Sequence, residues 1–596
     1  MNAPRAAAIL YGDWGTSKAY VIGLAFAVAG YASFWLIALM CVLTALVGIN
    51  YMIICRLYPD GGGVYASVRH RSQVISIVGA FLLIADYLVT AAISALSAFQ
   101  YLGVPHPEKF AAMSILIIGL LNLLGPRHTG GLAFLVSVPT ALVVVVLGIF
   151  SLPHIGQSVH NLQPLTGGFA KNWAAFVGIV LALSGVEAIA NATGVMRLDP
   201  GSTDEHPRVV KTSTPAILWV MLEVCIFTAL LGLAMHALGG LQIVNGDVNA
   251  PGAQGVRDYM LRYMGEVFVG SALGPALGHM FGFVVSIAFA MLLLSAVNTA
   301  IVDLIMIQFL MSRDRELPMI FHRLNKWGVP GLAMAIATIV PMALVIFVKD
   351  MAGLADLYAV GVVGAIATNL GATSTDRKLS MKTWERTLMF ATFIVMAAIE
   401  MSLLIDKPNA RYFAVTVLAV GLVLRGLVQE RRMKMEATPT LAPEKLDVDV
   451  ARASGEAMPV SLDAESILCA IRGTGRTLDF ALREARETGR RLYLLFVREQ
   501  PFMTEQDAKR KWPEDAEASA VFAEAKQKAV DRQPLFCYAV SPSAAETIVD
   551  VAATLGASRV ILGAPRRPAL INMLRGNVIR EVSNSLPEEI DLLVYA

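Results

Sequence analysis

The sequence predicts an α-helical membrane protein of about 12 transmembrane helices, followed by a cytoplasmic α/β domain built on a parallel sheet. Three observations carry this expectation. Of the 596 residues, 56% are hydrophobic and only 16% charged, with a mean hydropathy of +0.61, which is far from the composition of a soluble globular chain. Apolar runs long enough to cross ~30 Å of hydrocarbon, roughly 20 residues each, recur from the N-terminus to about residue 427 and then stop. Beyond that point the chain turns charged, then alternates short β-type runs with amphipathic helical stretches.

The apolar runs cover residues 5–29, 32–56, 74–100, 109–124, 131–152, 173–196, 214–237, 272–297, 329–348, 353–373, 384–403 and 411–428. The first lacks a basic flank and a small-residue cleavage site, so it reads as a retained helix and not a signal peptide. An even count puts both termini on one side. Loops holding Arg56, Arg69, Arg71, Arg313, Arg315, Arg377 and Lys378 alternate with loops poorer in basic residues, which makes the basic side, and both termini, cytoplasmic. The expected location is the inner (cytoplasmic) membrane. The net charge of +2 and the lack of a basic tract elsewhere give no case for a nucleic-acid partner. The five cysteines have neither paired nor metal-type spacing. No Ser/His/Asp constellation or metal-ligand spacing points to an enzyme.

Three regions are expected: a transmembrane domain over 1–428, a cytoplasmic linker over 429–460 and a folded domain over 461–596. The linker is charged and Pro-punctuated. In the last region, strands at "SILCAI", "RLYLLFV", "LFCYAV", "RVILGA" and "IDLLVY" alternate with helices at "RTLDFALREARETG", around 504–530, at "SAAETIVDVAATLG" and at "LRGNVIREVSNSL". That order argues a parallel sheet.

Within the membrane domain the informative residues are acids. Residues 4–12 span ~13 Å as a helix, which places Asp13 near the bilayer midplane. A carboxylate there costs several kcal/mol unless it meets a polar cavity or a partner. Gly12, Gly15, Thr16 and Ser17 surround it and mark the place for the helix to break. A broken helix at the midplane, with a counterpart five helices later, is the signature of two inverted repeats. Helix 6 supplies the counterpart in "LALSGVEAIANATG", where Gly185 and Gly194 flank Glu187 and where Ser184 and Asn191 share its face. Asp86 in "LIADYLVTAAIS" is the third carboxylate, with Tyr87 beside it and Thr90 one turn on, and Tyr20 lies two turns along from Asp13. Carboxylates, hydroxyls and exposed carbonyls are hard oxygen donors that suit a desolvated cation. Glu223, Asp303, Asp356 and Glu400 lie nearer helix ends or on less patterned faces and read as structural. Lys18 is ~140° around the helix from Asp13. It reads equally as a tethered cation, a partner for a carboxylate, or a residue facing headgroups.

The motif "GDWGTSKAY" resembles the opening of the KUP potassium-uptake family. The stretches "YPDGGGVYASVRHR", "ADYLVTAAIS", "LSGVEAIANA" and "LYAVGVVGAIATNLG" resemble KimA-type importers of the amino acid-polyamine-organocation (APC) superfamily. This resemblance implies a LeuT/APC-type 5+5 inverted repeat and a homodimeric potassium importer coupled to protons. It also implies a K+ site at Asp13, Tyr20, Ser184 and Glu187, further ion contacts from Asp86, Tyr87, Thr90 and Tyr358, and proton coupling through Glu187 and Asp86. The region from Ser461 resembles a universal stress protein domain, through "ILGAPRRPALINMLRGNVIREVSNSLP". That implies an adenine nucleotide (ATP, AMP or cyclic di-AMP) at Gly563, Arg566, Gly576 and Asn577, and dimerisation through this domain. Arg472 stands where that family has an acidic residue. A proton-coupled amino-acid or amine permease, and a transceptor, are the competing readings.

Overall fold

The stretches expected to cross the membrane are largely helical where the computed structural model describes them, with the run 173–196 interrupted between Val177 and Ala188. The structure describes residues 2–59, 61, 63–69, 71–123, 129–183, 185–202, 207–325, 327–436, 466–500, 511–529, 533–541, 543–563, 578–587 and 590–595. Helix α1 (Ala3–Trp14) begins where Asn2 accepts from the Arg5 amide at 3.3 Å, with Pro4 in its first turn, an arrangement that satisfies one N-terminal donor and loses none. It gives way at Gly15 and Thr16 to α2 (Ser17–Ala29), which Gly30 closes at φ +57°. Then come α3 (Ser33–Leu57), the short α4 (Gly63–Arg69) and α5 (Gln73–Leu102), the last capped by the Ser72 hydroxyl and ended by left-handed Gly103. Next are α6 (Pro107–Asn122), α7 (Thr129–Ser151), α8 (Ile155–Asn161), and the interrupted pair α9 (Gly168–Val177) and α10 (Ala188–Ala192). The membrane part closes with α11 (Val210–Ala234), α12 (Met260–Leu273), α13 (Pro275–Arg313), α14 (Gly331–Val348), α15 (Met351–Thr375), α16 (Thr383–Asp406) and α17 (Pro408–Glu436).

Among the described residues, nine helical stretches are long and apolar enough to span a membrane, the first running through α1, α2 and α3 together. Burial separates a centre from a periphery. The most apolar window of α5 is 78% buried and that of α15 is 72%, against 11% for α17 up to Glu430. So α5 and α15 pack among other helices, while α17 presents apolar residues such as Val415, Val423 and Leu427 outward, as a lipid-facing helix does. Helix α17 also continues to Glu436, into the stretch expected as linker, because its Glu, Arg, Lys and Met residues are good helix formers.

The chain divides into two units, with the second holding Gln429–Ala596. Its five strands, β3 (Ser466–Ala470), β4 (Arg491–Glu499), β5 (Leu535–Ser541), β6 (Ala557–Gly563) and β7 (Asp591–Tyr595), follow the membrane part's small hairpin β1 (Gln242–Val244) and β2 (Asp247–Asn249). They form one sheet in the order β5-β4-β3-β6-β7, parallel throughout. Helices cover both faces, so the central strands are apolar on both. Ile467, Leu494 and Phe496 enter one core, and Leu468, Leu495 and Val560 the other.

Candidate functional site: two helix breaks and a carboxylate cluster

The first break is a pinch and not an unwound segment. Gly15 and Thr16 keep right-handed helical dihedrals, but the Thr16 amide bonds back to the Asp13 carbonyl at 3.1 Å, three residues away, and the ladder tightens. The Thr16 hydroxyl donates to the same carbonyl at 2.5 Å and lies 2.7 Å from the Tyr20 hydroxyl. Tyr20 is thereby turned toward the break.

The second break is deeper. After α9 a short 3-10 turn (Val180–Leu183) ends before Gly185, whose φ of +88° favours glycine. A Cβ on Gly185 would stand 2.5 Å from the Trp14 amide nitrogen and 2.8 Å from the Asp13 carboxyl carbon. Only glycine lets the two interruptions touch. Glu187 lies two residues on and is 4% exposed; Asp13 is 2% exposed and Asp86 fully buried.

Asp86 adjoins Glu187, Asp13 acts electrostatically on Asp86, Glu187 and Asp303, and Tyr87 lies in the field of all four acids. Among the described residues, no hydrogen-bond donor is directed at the buried Asp86 Oδ2 and Glu187 Oε2. One shared proton would turn the carboxyl contact into a hydrogen bond. Like charges this close in a poorly polarisable interior repel strongly, so the cluster requires a proton, a cation, or each in turn. Thr90 donates to the Asp86 carbonyl at 2.9 Å, Asn191 donates to the Tyr87 hydroxyl, and Tyr358 is buried on α15. One turn on from Tyr358, Gly361 lets α15 approach, since a Cβ there would lie 2.7 Å from the Asp86 amide. Among the described residues no three His, Cys, Asp or Glu side chains converge as a chelating metal site.

The structure thus brings Asp13, Asp86, Tyr87, Thr90 and Glu187 together, with Tyr20 at the adjoining pinch. Ser184 lies outside the described residues, as do Arg566, Gly576 and Asn577. Two acids read from sequence as structural have buried partners, one of them at this centre. Asp303 on α13 interacts with Asp13 and Tyr87. Glu223 on α11 accepts from Lys18 Nζ at 2.8 Å and from the Tyr11 hydroxyl at 3.0 Å. The signal for both was available, an acid within an apolar run, the same signal that marked Asp13. Of the three roles open to Lys18, the structure selects the carboxylate partner. Asp356 pairs with Lys407 at 2.7 Å, as a structural acid does.

In the second unit, Gly563 ends β6 beside β3, at the point where strand order reverses and where open parallel sheets bind ligands. A Cβ on Gly563 would meet the Thr477 hydroxyl at 2.8 Å. Arg472 pairs at 3.7 Å with Glu499, which ends β4.

Interrupted helices around buried acids, followed by a doubly covered parallel sheet, define a multi-pass membrane protein carrying an α/β module. Residues 2–424 match the amino acid permease family, and the chain belongs to it. Residues 465–590 match the universal stress protein family. A probable potassium transport system protein Kup from Rhizobium rhizogenes (strain K84) is 27% identical over 212 residues, covering 30% of this chain and 34% of the relative. Another, from Nitrosospira multiformis, is 30% identical over 221 residues with the same coverage of 30% and 34%. The matches thus span about a third of these relatives. A crystal structure of a mutant manganese transporter from Eremococcus coleocola covers 72% of this chain and 94% of its own, at 14% identity and a TM-score of 0.43.

Proposed function

We propose that this chain is a secondary active potassium importer working by alternating access, in which protons and potassium take turns at the carboxylate cluster. The observation that carries the reading is the contact of two helix interruptions at Gly185, with Asp13, Asp86 and Glu187 gathered around it. Buried acids gathered this way suit a cargo that supplies positive charge, and a K+ ion and a proton compete for the same oxygens. In this reading Asp13, Tyr20, Ser184 and Glu187 hold the ion, Asp86, Tyr87, Thr90 and Tyr358 line its path, and Glu187 with Asp86 carries the proton. The partial likeness to the Kup relatives supports the same cargo.

The reading extends to the whole chain: residues 1–428 form the transporter as two inverted five-helix repeats, 429–460 the linker and 461–596 a regulatory domain. Both termini are cytoplasmic and the membrane is the inner one. The last domain pairs two copies and inhibits uptake when it binds an adenine nucleotide. Gly563 at the sheet's reversal point fits such a ligand, whose phosphates its loop would receive. Rubidium-86 uptake into proteoliposomes under an inward proton gradient tests the core of this. Saturable uptake, blocked by potassium and lost in Asp13→Asn and Glu187→Gln, supports it. No uptake by correctly inserted protein favours the second reading, an amino-acid or amine permease, for which the family match is the specific observation.

A further inference from the structure

Glu400 lies deeper than its place near the end of an apolar run suggests. On α16 it packs against the middle of α15: a Cβ on Gly364, halfway along that 25-residue helix, would stand 3.0 Å from Glu400 Oε1 and 2.9 Å from Leu82 Cδ1. The residue is half-buried, but Oε2 is shut off from solvent and, among the described residues, has no hydrogen-bond partner. The helices around it supply no free countercharge. Helices α3, α5, α9 and α15 each carry a single charged residue. Arg56 of α3 is held by Glu385, Asp356 of α15 by Lys407, and Lys171 of α9 is exposed. On α16 itself, Arg386 is about four turns away and bonds the Ser374 carbonyl at 2.9 Å. The remaining group is Asp86 of α5, itself an acid. An ionised carboxylate without a countercharge at this depth costs several kcal/mol, so Glu400 stands here as the neutral acid and carries a proton.

The same face of α15 leads to the carboxylate cluster. Gly361, one turn before Gly364, admits the Asp86 backbone, and Leu82, which flanks Glu400, is one turn before Asp86 on α5. The Glu400 carboxyl thus lies about one helical turn, ~5 Å of rise, from the level of Asp86, with Leu82 beside the route. We propose that Glu400 is a proton way station of the transport cycle, which passes its proton to Asp86 and so to the cluster. One proton moves: Glu400 goes from acid to carboxylate, a water past Leu82 relays the proton, and Asp86 Oδ2 goes from carboxylate to acid. The Glu400 carboxylate left behind has no countercharge, so it regains a proton as the cycle resets. This deepens the transport reading and rests on it, but proton exchange at Glu400 is observable without any flux.

The experiment compares full-length wild type, Glu400→Gln and Glu400→Asp in liposomes by three readouts. These are the infrared difference spectrum between acidic and alkaline buffer, rubidium uptake driven by an inward proton gradient, and rubidium-for-potassium exchange at equal pH, which moves no net proton. The wild-type difference spectrum is expected to contain a protonated-carboxyl band that Glu400→Gln lacks. Glu400→Gln, which keeps the shape of the side chain but holds no exchangeable proton, is expected to lose proton-driven uptake by at least about tenfold and to lose much less exchange. Glu400→Asp, which restores the acid on a shorter stem, is expected to recover part of the uptake. A buried acid that only packs stays protonated throughout: Glu400→Gln would then match wild type in spectrum and in both fluxes, and that result overturns the proposal. Equal loss of exchange and uptake overturns it too, since Glu400 would then act on the ion or the fold and not on the proton. A missing band with undiminished uptake overturns it as well. Wild type that neither takes up nor exchanges rubidium, yet shows the Glu400 band, defeats the potassium reading and supports Glu400 as an exchangeable proton site for another cargo.

Discussion

The two sides of the helix-1 interruption solve the same electrostatic problem in opposite ways. On one side Glu223 is matched by Lys18 at 2.8 Å and by the Tyr11 hydroxyl at 3.0 Å. On the other, Asp13, Asp86 and Glu187 act on one another, with Asp303 contributing to the same field. Burying an ion costs several kcal/mol, and a protein recovers that cost either with a fixed countercharge or with one that comes and goes. The difference teaches where the proposed cargo is to be sought: at a cluster of acids and not at a carboxylate already held by a lysine.

The largest expected effect breaks the clustered side. Asp13→Asn or Glu187→Gln is expected to lower rubidium uptake by on the order of 100-fold, roughly 2.7 kcal/mol, while insertion and thermal stability hold. Retained uptake in both would erase the contrast. On the matched side the expected loss is of stability. Glu223→Gln strands the Lys18 ammonium and should cost about 3–5 kcal/mol, read as a lower unfolding temperature, with Lys18→Met/Glu223→Gln recovering most of it.

Gly185→Ala tests whether the two sides meet because the breaks touch. Its φ of +88° and the 2.5 Å approach to the Trp14 amide predict a loss of about 1–3 kcal/mol. It should also raise the rubidium concentration for half-maximal uptake, because Asp13 is pushed aside. An unchanged value in Gly185→Ala would mean that the contact does not position the acid.

The smallest effect lies outside the membrane part, where water is available. Burial alone would push the Asp515 carboxyl up, but the Arg498 guanidinium, the Ala518 amide and the Tyr538 hydroxyl together hold it at about 2. With its ordinary value near 3.9 in the unfolded chain, this pairing contributes fully above about pH 4 and is lost as pH falls toward about 2. The contribution is on the order of 1–2 kcal/mol once solvent screening is allowed for. Hydrogen exchange of the helix Ala516–Lys528, which Asp515 caps, should therefore accelerate on acidification through that window. Asp515→Asn should show faster exchange at neutral pH and little further change.

Periodicity and composition made much of this legible. Twenty-residue apolar runs have few alternatives to membrane helices, and five apolar strands alternating with amphipathic helices have few alternatives to a parallel sheet. Asp13, Asp86 and Glu187 stood out because an acid in an apolar run is costly wherever it points. Glu223 and Asp303 carry the same signal, but they lie nearer helix ends or on less patterned faces and so read as structural. Their roles depend on which neighbours the helices bring, and a linear pattern of residues does not contain that information.

By itself, then, the sequence determined the membrane helices, the order of strands and helices in the second unit, and the list of residues too polar for their surroundings. Hydrophobic periodicity is local, and it is written into every turn of chain. Only the tertiary structure decided which acids share a centre, that Gly185 lets one interruption rest against the other, and that Lys18 belongs to Glu223 and not to Asp13. The last two are contacts between residues some 170 to 205 positions apart in the chain, and packing distance decides how strongly a buried charge is matched.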